Sequence, residues 1–270
     1  MNDLFIIAVH VISDDIMSYL GHKDHSLAQV CDSEVLTVAV VAAKYFHNNH
    51  ERALYVLSQL GYLSGNLSIS RFNRRLHKLA SWLQFLIETL GEIFSTGEVY
   101  IIDSMPLPVC KRARAGRCRK VRGRAYCGYC AAKKEKFFGF RLHLICTPEG
   151  VPVSFAKLAG GYHDLTPIHE ITYLLPKGAV VYGDKGYISE SDQATIVEET
   201  GVRLVSARRK NMEPNEWIDE YGLRKYRKRI ETVNSQLEKM GIAHLHARTN
   251  EGFEIKVHAS LMALACTNLF

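Results

Sequence analysis

The stretch that decides the fold class is residues 99–103, Val-Tyr-Ile-Ile-Asp, together with a run of the same type at residues 179–184, Ala-Val-Val-Tyr-Gly-Asp. Both runs are rich in β-branched and aromatic side chains, which is typical of buried strands. Each ends in an acid, Asp103 or Asp184. An ionised carboxylate at the end of a buried strand needs a positive partner or a changed pKa. The two runs therefore predict a sheet with a polar site where its strands end.

The chain between and after these runs predicts further strands and helices. Residues 139–145 and 151–158 alternate in polarity on either side of a Pro-Glu-Gly turn, which is typical of a β-hairpin. Thr166 is expected to cap a helix, with Pro167 at its first position. Helices and strands then alternate over residues 166–175, 179–183, 190–200, 203–207 and 223–240. This order favours an α/β fold with a mixed sheet and flanking helices.

In the first part of the chain the spacing of apolar residues is typical of helices. Apolar residues recur every three or four positions from Leu76 to Phe94, which predicts one long helix with an apolar stripe. Further helices that would cover the stripe are expected over residues 4–20, 35–47 and 51–60. We therefore expect an all-helical domain over residues 1–95 and a sheet domain over residues 96–270, with a basic insertion at residues 111–137.

Composition excludes several classes of protein. The 270 residues are 47% apolar and 23% charged, enough to bury one large core or two modest ones. The longest apolar stretch falls well short of the roughly 18 residues that span a bilayer, so no membrane association is expected. The apolar amino terminus begins with an acid and is interpreted as a core helix rather than a leader. Seven cysteines fit a reducing compartment, so we expect a cytoplasmic protein.

The positive charge of the chain is concentrated in one segment. Residues 111–141 hold twelve lysines and arginines and one glutamate, a local net charge of +11, while the whole chain carries +6. Such a segment repels itself and favours a polyanion, with a solvated loop or a membrane-surface patch as the alternatives. Phosphate backbones supply the matching charge. The predicted DNA contacts here are Lys111, Arg112, Arg114, Arg117, Arg119, Lys120, Arg122 and Arg124.

A second basic cluster follows Ser68-Ile-Ser70. A serine here can cap a helix whose first turns display Arg71, Arg74 and Arg75 outward, as in the second helix of a helix-turn-helix. A charged first turn on a packed helix is an equally good interpretation. Basic residues at a helix start oppose the helix dipole, which slightly favours a phosphate contact.

A third acid, Glu231, stands on the last predicted basic helix. Arg227 lies four residues before it and Asn234 three after it, so all three can share one face. A surface salt bridge between Glu231 and Arg227 is the simpler alternative. With Asp103 and Asp184, Glu231 would complete a set of oxygen donors, which favours Mg²⁺ or Mn²⁺. Such ions act on phosphodiesters by activating the attacking oxygen and stabilising the leaving one.

The motifs in order resemble the signature of DDE transposases of bacterial insertion sequences, and the closest group is the insertion-sequence family numbered nine-eight-two. The residues that carry the resemblance are Ile102–Pro106 (IDSMP), Gly139–His143 (GFRLH), His163-Asp164, Gly183–Tyr187 (GDKGY), Tyr226-Arg227 and Arg229–Thr232 (RIET). Tyr226, Arg227 and Glu231 fit the family's tyrosine, arginine, glutamate and lysine motif. Lys239 is displaced from its place there, and Arg229 is a second candidate for the arginine.

The resemblance implies a ribonuclease-H-like domain in which Asp103, Asp184 and Glu231 bind two divalent ions, Mg²⁺ first and Mn²⁺ second. It implies cleavage at the ends of a DNA element and joining of the 3′-hydroxyl to target DNA. The partners would be double-stranded DNA, as terminal inverted repeats and target, and a second copy of the chain in the DNA complex. The alternatives are a metal-dependent nuclease that does not join strands and a DNA-binding regulator without catalysis.

Three further features stay open at this stage. His143 could point into the site or make an ordinary hydrogen bond in the sheet. Asp164 could be an active-site acid, a turn residue or a redundant helix cap. Cysteines in and beside the basic segment allow a zinc site in principle, but only one CxxC pair exists and zinc is not favoured; these are Cys110, Cys118, Cys127 and Cys130.

Overall fold

The computed structural model describes residues 1–131, 133–206 and 220–270. These residues form two compact units. The first unit combines Met1–Thr89 with Gln236–Phe270, and the second is Leu90–Ser235. The carboxyl-terminal residues, which the sequence assigned to the sheet domain of residues 96–270, thus cluster with the amino-terminal helices.

The first unit is helical. Its central helix, α2, is buried on nearly all sides from Ser33 to Ala43, which explains why this run is apolar without a clear polar face. The bounds of the helices along the amino-terminal part are α1 Asp3–Tyr19, α2 Asp32–Phe46, α3 His50–Gln59, α4 Ile69–Lys78 and α5 Ala80–Phe94. All three predicted helices upstream of residue 61 are confirmed to within a few residues.

The predicted long helix of residues 76–94 is wrong in one respect, because the helix breaks at Leu79. Helix α4 ends there and α5 begins at Ala80. Leu76, Leu79 and Leu83 are all buried, so the apolar pattern continues through the break and gives no sign of it. Ser68 caps α4, its hydroxyl accepting the Arg71 N–H at 3.4 Å.

The last helix of the chain has no counterpart among the sequence predictions. Helix α9, Asn250–Leu269, packs against α2 and is buried from Ile255 onward except on a few positions. Asn48 donates from Nδ2 to the Ser260 hydroxyl at 3.1 Å, which ties α9 to the turn after α2. A helix covered on most sides lacks the one-sided stripe by which helices are recognised. Among the described helices, none is both long and apolar enough to cross a membrane.

The second unit is built on a mixed sheet, as predicted. The described part forms six strands: β1 Val99–Lys111, β2 Cys127–Cys130, β3 Glu135–Cys146, β4 Pro152–Ala159, β5 Val180–Gly183 and β6 Arg203–Ser206. The order is β2-β3-β1-β5-β6, and β4 lies beside β3. Strands β1, β3 and β4 are antiparallel neighbours, whereas β1, β5 and β6 run parallel. Residue 207, the predicted end of the last strand, lies outside the described residues.

Helices cover the sheet through one apolar core. Ile168 and Ile171 of α6 (Ile168–Thr172) and Ile196 of α7 (Glu190–Thr200) pack in one cluster with strand residues such as Ile102 and Val181. Helix α7 has the predicted bounds. Burying such side chains stabilises the unit by about 1.5–3 kcal/mol each.

Helix α6 corrects a prediction. It is shorter than the expected helix of residues 166–175, and Pro167 rather than Thr166 is its N-cap, without a side-chain cap bond. The Thr166 N–H instead donates to the His163 carbonyl at 3.0 Å, so Thr166 belongs to the preceding turn.

Strand β1 is longer than the predicted run of residues 99–103, because it continues through Pro106 and Pro108 to Lys111. On one side β1 pairs with β3 over most of its length. On the other, β5 pairs only with Val99–Ile101 in the described part of the chain. A strand whose edge carries no ladder tolerates proline, so the residues after Ile101 need not end the strand.

Candidate active site

Asp103 and Asp184 lie side by side because of the register of the parallel strands. The last paired residues of β1 and β5 are Ile101 and Tyr182, and each acid stands two residues further along its strand. Neither acid is part of this parallel ladder. The Asp184 carboxylate also accepts the Gly186 N–H at 2.7 Å, which begins a short 3₁₀ turn.

Both oxygens of Asp103 accept hydrogen bonds. Oδ1 accepts the Ser104 N–H at 2.7 Å, and Oδ2 accepts Nδ2 of Asn234 at 2.7 Å. The pKa of Asp103 is raised to about 7, chiefly by burial and also by the charges of Asp184 and Asp164, while the two hydrogen bonds oppose the rise. Asp103 is thus held by neutral donors while it faces like charges.

Asp164 joins this group from the loop between β4 and α6. Its Oδ1 accepts the Ser104 hydroxyl at 2.8 Å, and Nη1 of Arg141 lies 3.4 Å from the same oxygen. Among the interpretations left open for Asp164, the structure favours the one that places it with the acids.

Glu231 lies on helix α8, Glu220–Lys239. Its Oε1 accepts Nε of Arg227 at 3.3 Å, and both side chains are about two-thirds exposed, at 66% and 68%. This is the surface salt bridge considered above. The structure does not bring Glu231 together with Asp103 and Asp184: within the described ranges, the three do not form a group whose ligand atoms all lie within 4.8 Å.

The face of α8 that carries Glu231 nevertheless passes both acids. Asn234, one turn later, contacts Asp103. Arg227, one turn earlier, lines a cavity of about 160 Å³ together with Asp184. Residues spaced three and four apart share a helix face, so Glu231 stands between these two contacts.

The two candidate arginines of the motif lie in different surroundings. Tyr226 and Arg227 line the cavity beside Asp184, and the Tyr226 ring packs on Tyr182 with 4.8 Å between centroids. Arg229 faces the sheet, because its charge acts on the pKa of the fully buried Cys146 thiol. Of the two candidate arginines, Arg227 is exposed and Arg229 is half-buried.

His143 is fully buried beneath the acids. Its Nδ1 lies 3.3 Å from the Tyr187 hydroxyl. Burial lowers the pKa of His143 to about 4, so the imidazole is neutral at pH 7. Burial, followed by the charges of the three aspartates, raises the pKa of Tyr187. Tyr187 of the GDKGY motif is therefore part of the buried layer next to the acids. Nothing in the sequence around this residue predicted that role.

The basic segment is folded on the edge of the sheet. It contains 3₁₀ turns at Arg112–Arg117 and Arg124–Tyr126, then β2, which pairs with the start of β3. Tyr126 packs edge-on against Phe140, with ring centroids 5.3 Å apart. Its predicted DNA-contacting side chains are exposed, with Lys120 half-buried: Lys111, Arg112, Arg114, Arg117, Arg119, Lys120, Arg122 and Arg124.

Arg141 departs from the rest of the basic set. Its Nη2 donates to the Tyr129 carbonyl at 2.9 Å, and its Nη1 donates to the Ser104 hydroxyl at 3.1 Å and lies near Asp164. Only 15% of its side chain is exposed. It connects β2 with the acids instead of facing solvent.

In the helical unit the three predicted arginines of α4 differ. Arg71 and Arg74 are exposed, whereas Arg75 is ion-paired with Asp32 and donates to the Val30 carbonyl at 2.6 Å. Arg75 therefore does not project freely outward as expected. All three line a cavity of about 590 Å³.

Two other clusters bear on metal binding. His22, Asp24 and Asp32 have ligand atoms within 4.8 Å of one another, and Arg75 pairs with Asp32 there. All seven cysteines are free thiols, and the thiols of Cys110 and Cys118 are hydrogen-bonded to each other. Within the described part of the chain, no such group includes a cysteine.

Fold and site together define a class: a mixed α/β domain with acids just beyond the paired ends of two parallel strands. The model of the family described as transposase DDE domain matches residues 94–250, more than half of the chain and the part that carries the sheet, the acids and α8. The chain belongs to the family of transposase DDE domains. Searches of curated proteins and of solved structures gave no significant match.

Members of this family generally use divalent metals. The donor set fits such ions, because Asp103, Asp164 and Asp184 offer carboxylate oxygens and Asn234 an amide, although among the described residues the ligand atoms of the three aspartates do not all lie within 4.8 Å of one another.

Proposed function

We propose that the protein is a DNA transposase of the bacterial insertion-sequence type, closest to the family numbered nine-eight-two. It cleaves the ends of its element and joins the freed 3′-hydroxyl to target DNA. The observation that carries the proposal is the pair Asp103 and Asp184, each two residues beyond the last parallel pair of β1 and β5, with Asp103 hydrogen-bonded to Asn234, in a chain of the transposase DDE family.

The catalytic domain is proposed to be ribonuclease-H-like. In support, the strand order β4-β3-β1-β5-β6 combines an antiparallel half with a parallel half, and helices α6 and α7 share its core. In this arrangement the two acids stand at the carboxyl ends of parallel pairing, where α/β sheets bind their ligands.

Asp103, Asp184 and Glu231 are the proposed metal ligands, with Mg²⁺ as the natural ion and Mn²⁺ as its substitute. Divalent ions at such a site activate the attacking oxygen and stabilise the leaving oxygen of a phosphodiester. The Ser104 N–H and the Asn234 amide orient Asp103 for this role. Glu231 becomes a ligand by leaving Arg227 and turning along the same face of α8, which frees Arg227 for a DNA phosphate.

Double-stranded DNA, as terminal inverted repeats and as target, is the proposed substrate. The exposed cations of the basic segment contact phosphates without choosing sequence. Arg71 and Arg74 on α4 contact the element's ends, and Arg75 supports that helix through Asp32. We place the protein at the nucleoid in the cytoplasm. Handling two ends in one reaction favours a homodimer in the DNA complex.

A strand-transfer assay tests the proposal. Duplexes carrying the inverted repeats that flank the coding region, pre-cut to expose the 3′-hydroxyl, are incubated with a plasmid and Mg²⁺. The wild-type protein should yield joined product, and Asp103→Asn should bind the duplex without joining it. Cleaved but unjoined DNA would instead indicate a nuclease, and binding without any metal-dependent cutting would indicate a regulator.

A further inference from the structure

One acid of the sheet unit stands outside the proposed trio although it is built into the same site. Asp164 is fixed through Oδ1, by the Ser104 hydroxyl at 2.8 Å and by Arg141 at 3.4 Å. Ser104 follows Asp103 directly, so the residue that orients Asp164 is also the one whose N–H orients Asp103. The other oxygen of Asp164 is left facing a different neighbour.

That neighbour is Gly186. A Cβ atom built on Gly186 would lie 2.7 Å from Oδ2 of Asp164 and 3.0 Å from Oδ1 of Asp184. The backbone of Gly186 is not in the left-handed region, so its conformation does not demand glycine. A methyl group there would press on two carboxylate oxygens of different residues, so at least one of the two side chains would have to shift.

Two carboxylates, those of Asp164 and Asp184, border the space beside Gly186, each within contact distance of a Cβ built there. Arg141 compensates Asp164 from one side only, through Oδ1. Carboxylates that converge on one open space repel one another unless a cation enters it. Beneath them, Nε2 of the fully buried His143 has no hydrogen-bond partner among the described residues, and the charge of Asp164 acts on its ring.

We infer that Asp164 is an additional acidic ligand of the divalent-cation site, facing Asp184 across the space that Gly186 leaves open and oriented by Ser104 and Arg141. The inference rests on the proposed function, since it concerns the same Mg²⁺ or Mn²⁺ site. It assigns to Arg141 a positioning role inside the protein, in place of a phosphate contact.

Mn²⁺ binding to the DNA-free protein tests the inference with a readout other than catalysis. Titration calorimetry with MnCl₂ should give an affinity at least about tenfold weaker for Asp164→Asn than for the wild type. Gly186→Ala should weaken binding by a similar factor although every acid is retained. Matched controls are Asp192→Asn, an acid of α7 paired with His169, and Gly116→Ala, where a Cβ meets nothing within 4 Å. Both controls should bind Mn²⁺ like the wild type.

The outcomes separate this inference from the proposed function. If Asp164→Asn and Gly186→Ala bind Mn²⁺ as the wild type does while Asp103→Asn does not, Asp164 is structural and the inference fails alone. If the wild type does not bind Mn²⁺, or Asp103→Asn binds it equally well, the proposed function fails too. Thermal unfolding in EDTA identifies a variant that has lost its fold, and Gly186→Ala, which removes no hydrogen-bonding group, then decides the question.

Discussion

The helical unit and the sheet unit each gather acids, but they treat the charge in opposite ways. Asp32 in the helical unit is paired with Arg75 and with His22, whose Nε2 lies 3.0 Å from the carboxylate. Asp103 in the sheet unit receives hydrogen bonds from neutral donors and faces two more acids. An acid that is paired with cations contributes to the stability of the fold. A group of acids with too few cationic partners is instead typical of a site that binds a ligand. This difference favours the sheet unit as the location of the active site.

The largest expected difference between the two units is in catalysis. It is tested by neutralising one acid in each unit and comparing the rates of strand joining. Asp103→Asn should lower Mg²⁺-dependent strand joining by roughly three orders of magnitude or more, because a metal ligand supplies several kcal/mol of transition-state stabilisation. Asp32→Asn should leave the joining rate of the folded protein nearly unchanged. Equal losses in the two variants, measured at matched DNA occupancy, would remove the distinction between the units.

The second test addresses stability instead of chemistry. Asp32→Ala leaves the Arg75 guanidinium partly buried without its carboxylate, and we expect the free energy of unfolding to fall by about 2 kcal/mol. Urea denaturation followed by circular dichroism measures this change. Arg71→Ala on the exposed side of the same helix is the control and should cost less than about 0.5 kcal/mol. A destabilisation no larger than that of the control would show that the Asp32–Arg75 pair does not support the helical unit.

The third test concerns the exposed cations of the basic segment. Replacing Arg112 and Arg114 by glutamine should weaken DNA binding about tenfold and reduce the dependence of log affinity on log salt by about two. Fluorescence anisotropy across a salt series measures both quantities. Arg203→Gln together with Lys177→Gln gives a matched loss of two exposed cations outside the segment. If this double variant changes the salt dependence equally, the segment has no special part in binding.

Local patterns predicted five of the six described strands, because alternation and β-branched runs are properties of short stretches. Strand β2 was not predicted, and Asp103, expected at a strand end, lies within β1. Helix α7 was predicted to its bounds for the same reason, with a serine cap at Ser189 and a left-handed Gly201 at its end. The bond from Asn234 to Asp103 and the place of Asp164 depend on contacts between distant parts of the chain. No periodicity carries that information. Helix α9 was not predicted from the sequence, because a helix that is buried on most sides has no amphipathic pattern.

The last test concerns a difference in pH dependence between Asp103 and the rest of the fold. In the folded protein without divalent metal the pKa of Asp103 is raised, chiefly by burial, to about 7 from an unfolded value of 3.8. Between these values the folded state holds one proton more than the unfolded state, so this group makes the free energy of unfolding fall as pH rises, up to about pH 7. Asp103→Asn removes that slope. The stability of the variant relative to the wild type should therefore increase from pH 5 to pH 8 in EDTA, as urea midpoints at several pH values would show. With saturating Mn²⁺ the wild type should regain stability at the higher pH, because only the carboxylate binds the ion. A stability difference that does not change with pH would mean that Asp103 is already ionised at pH 5, and the contrast with Asp32 would lose its electrostatic basis.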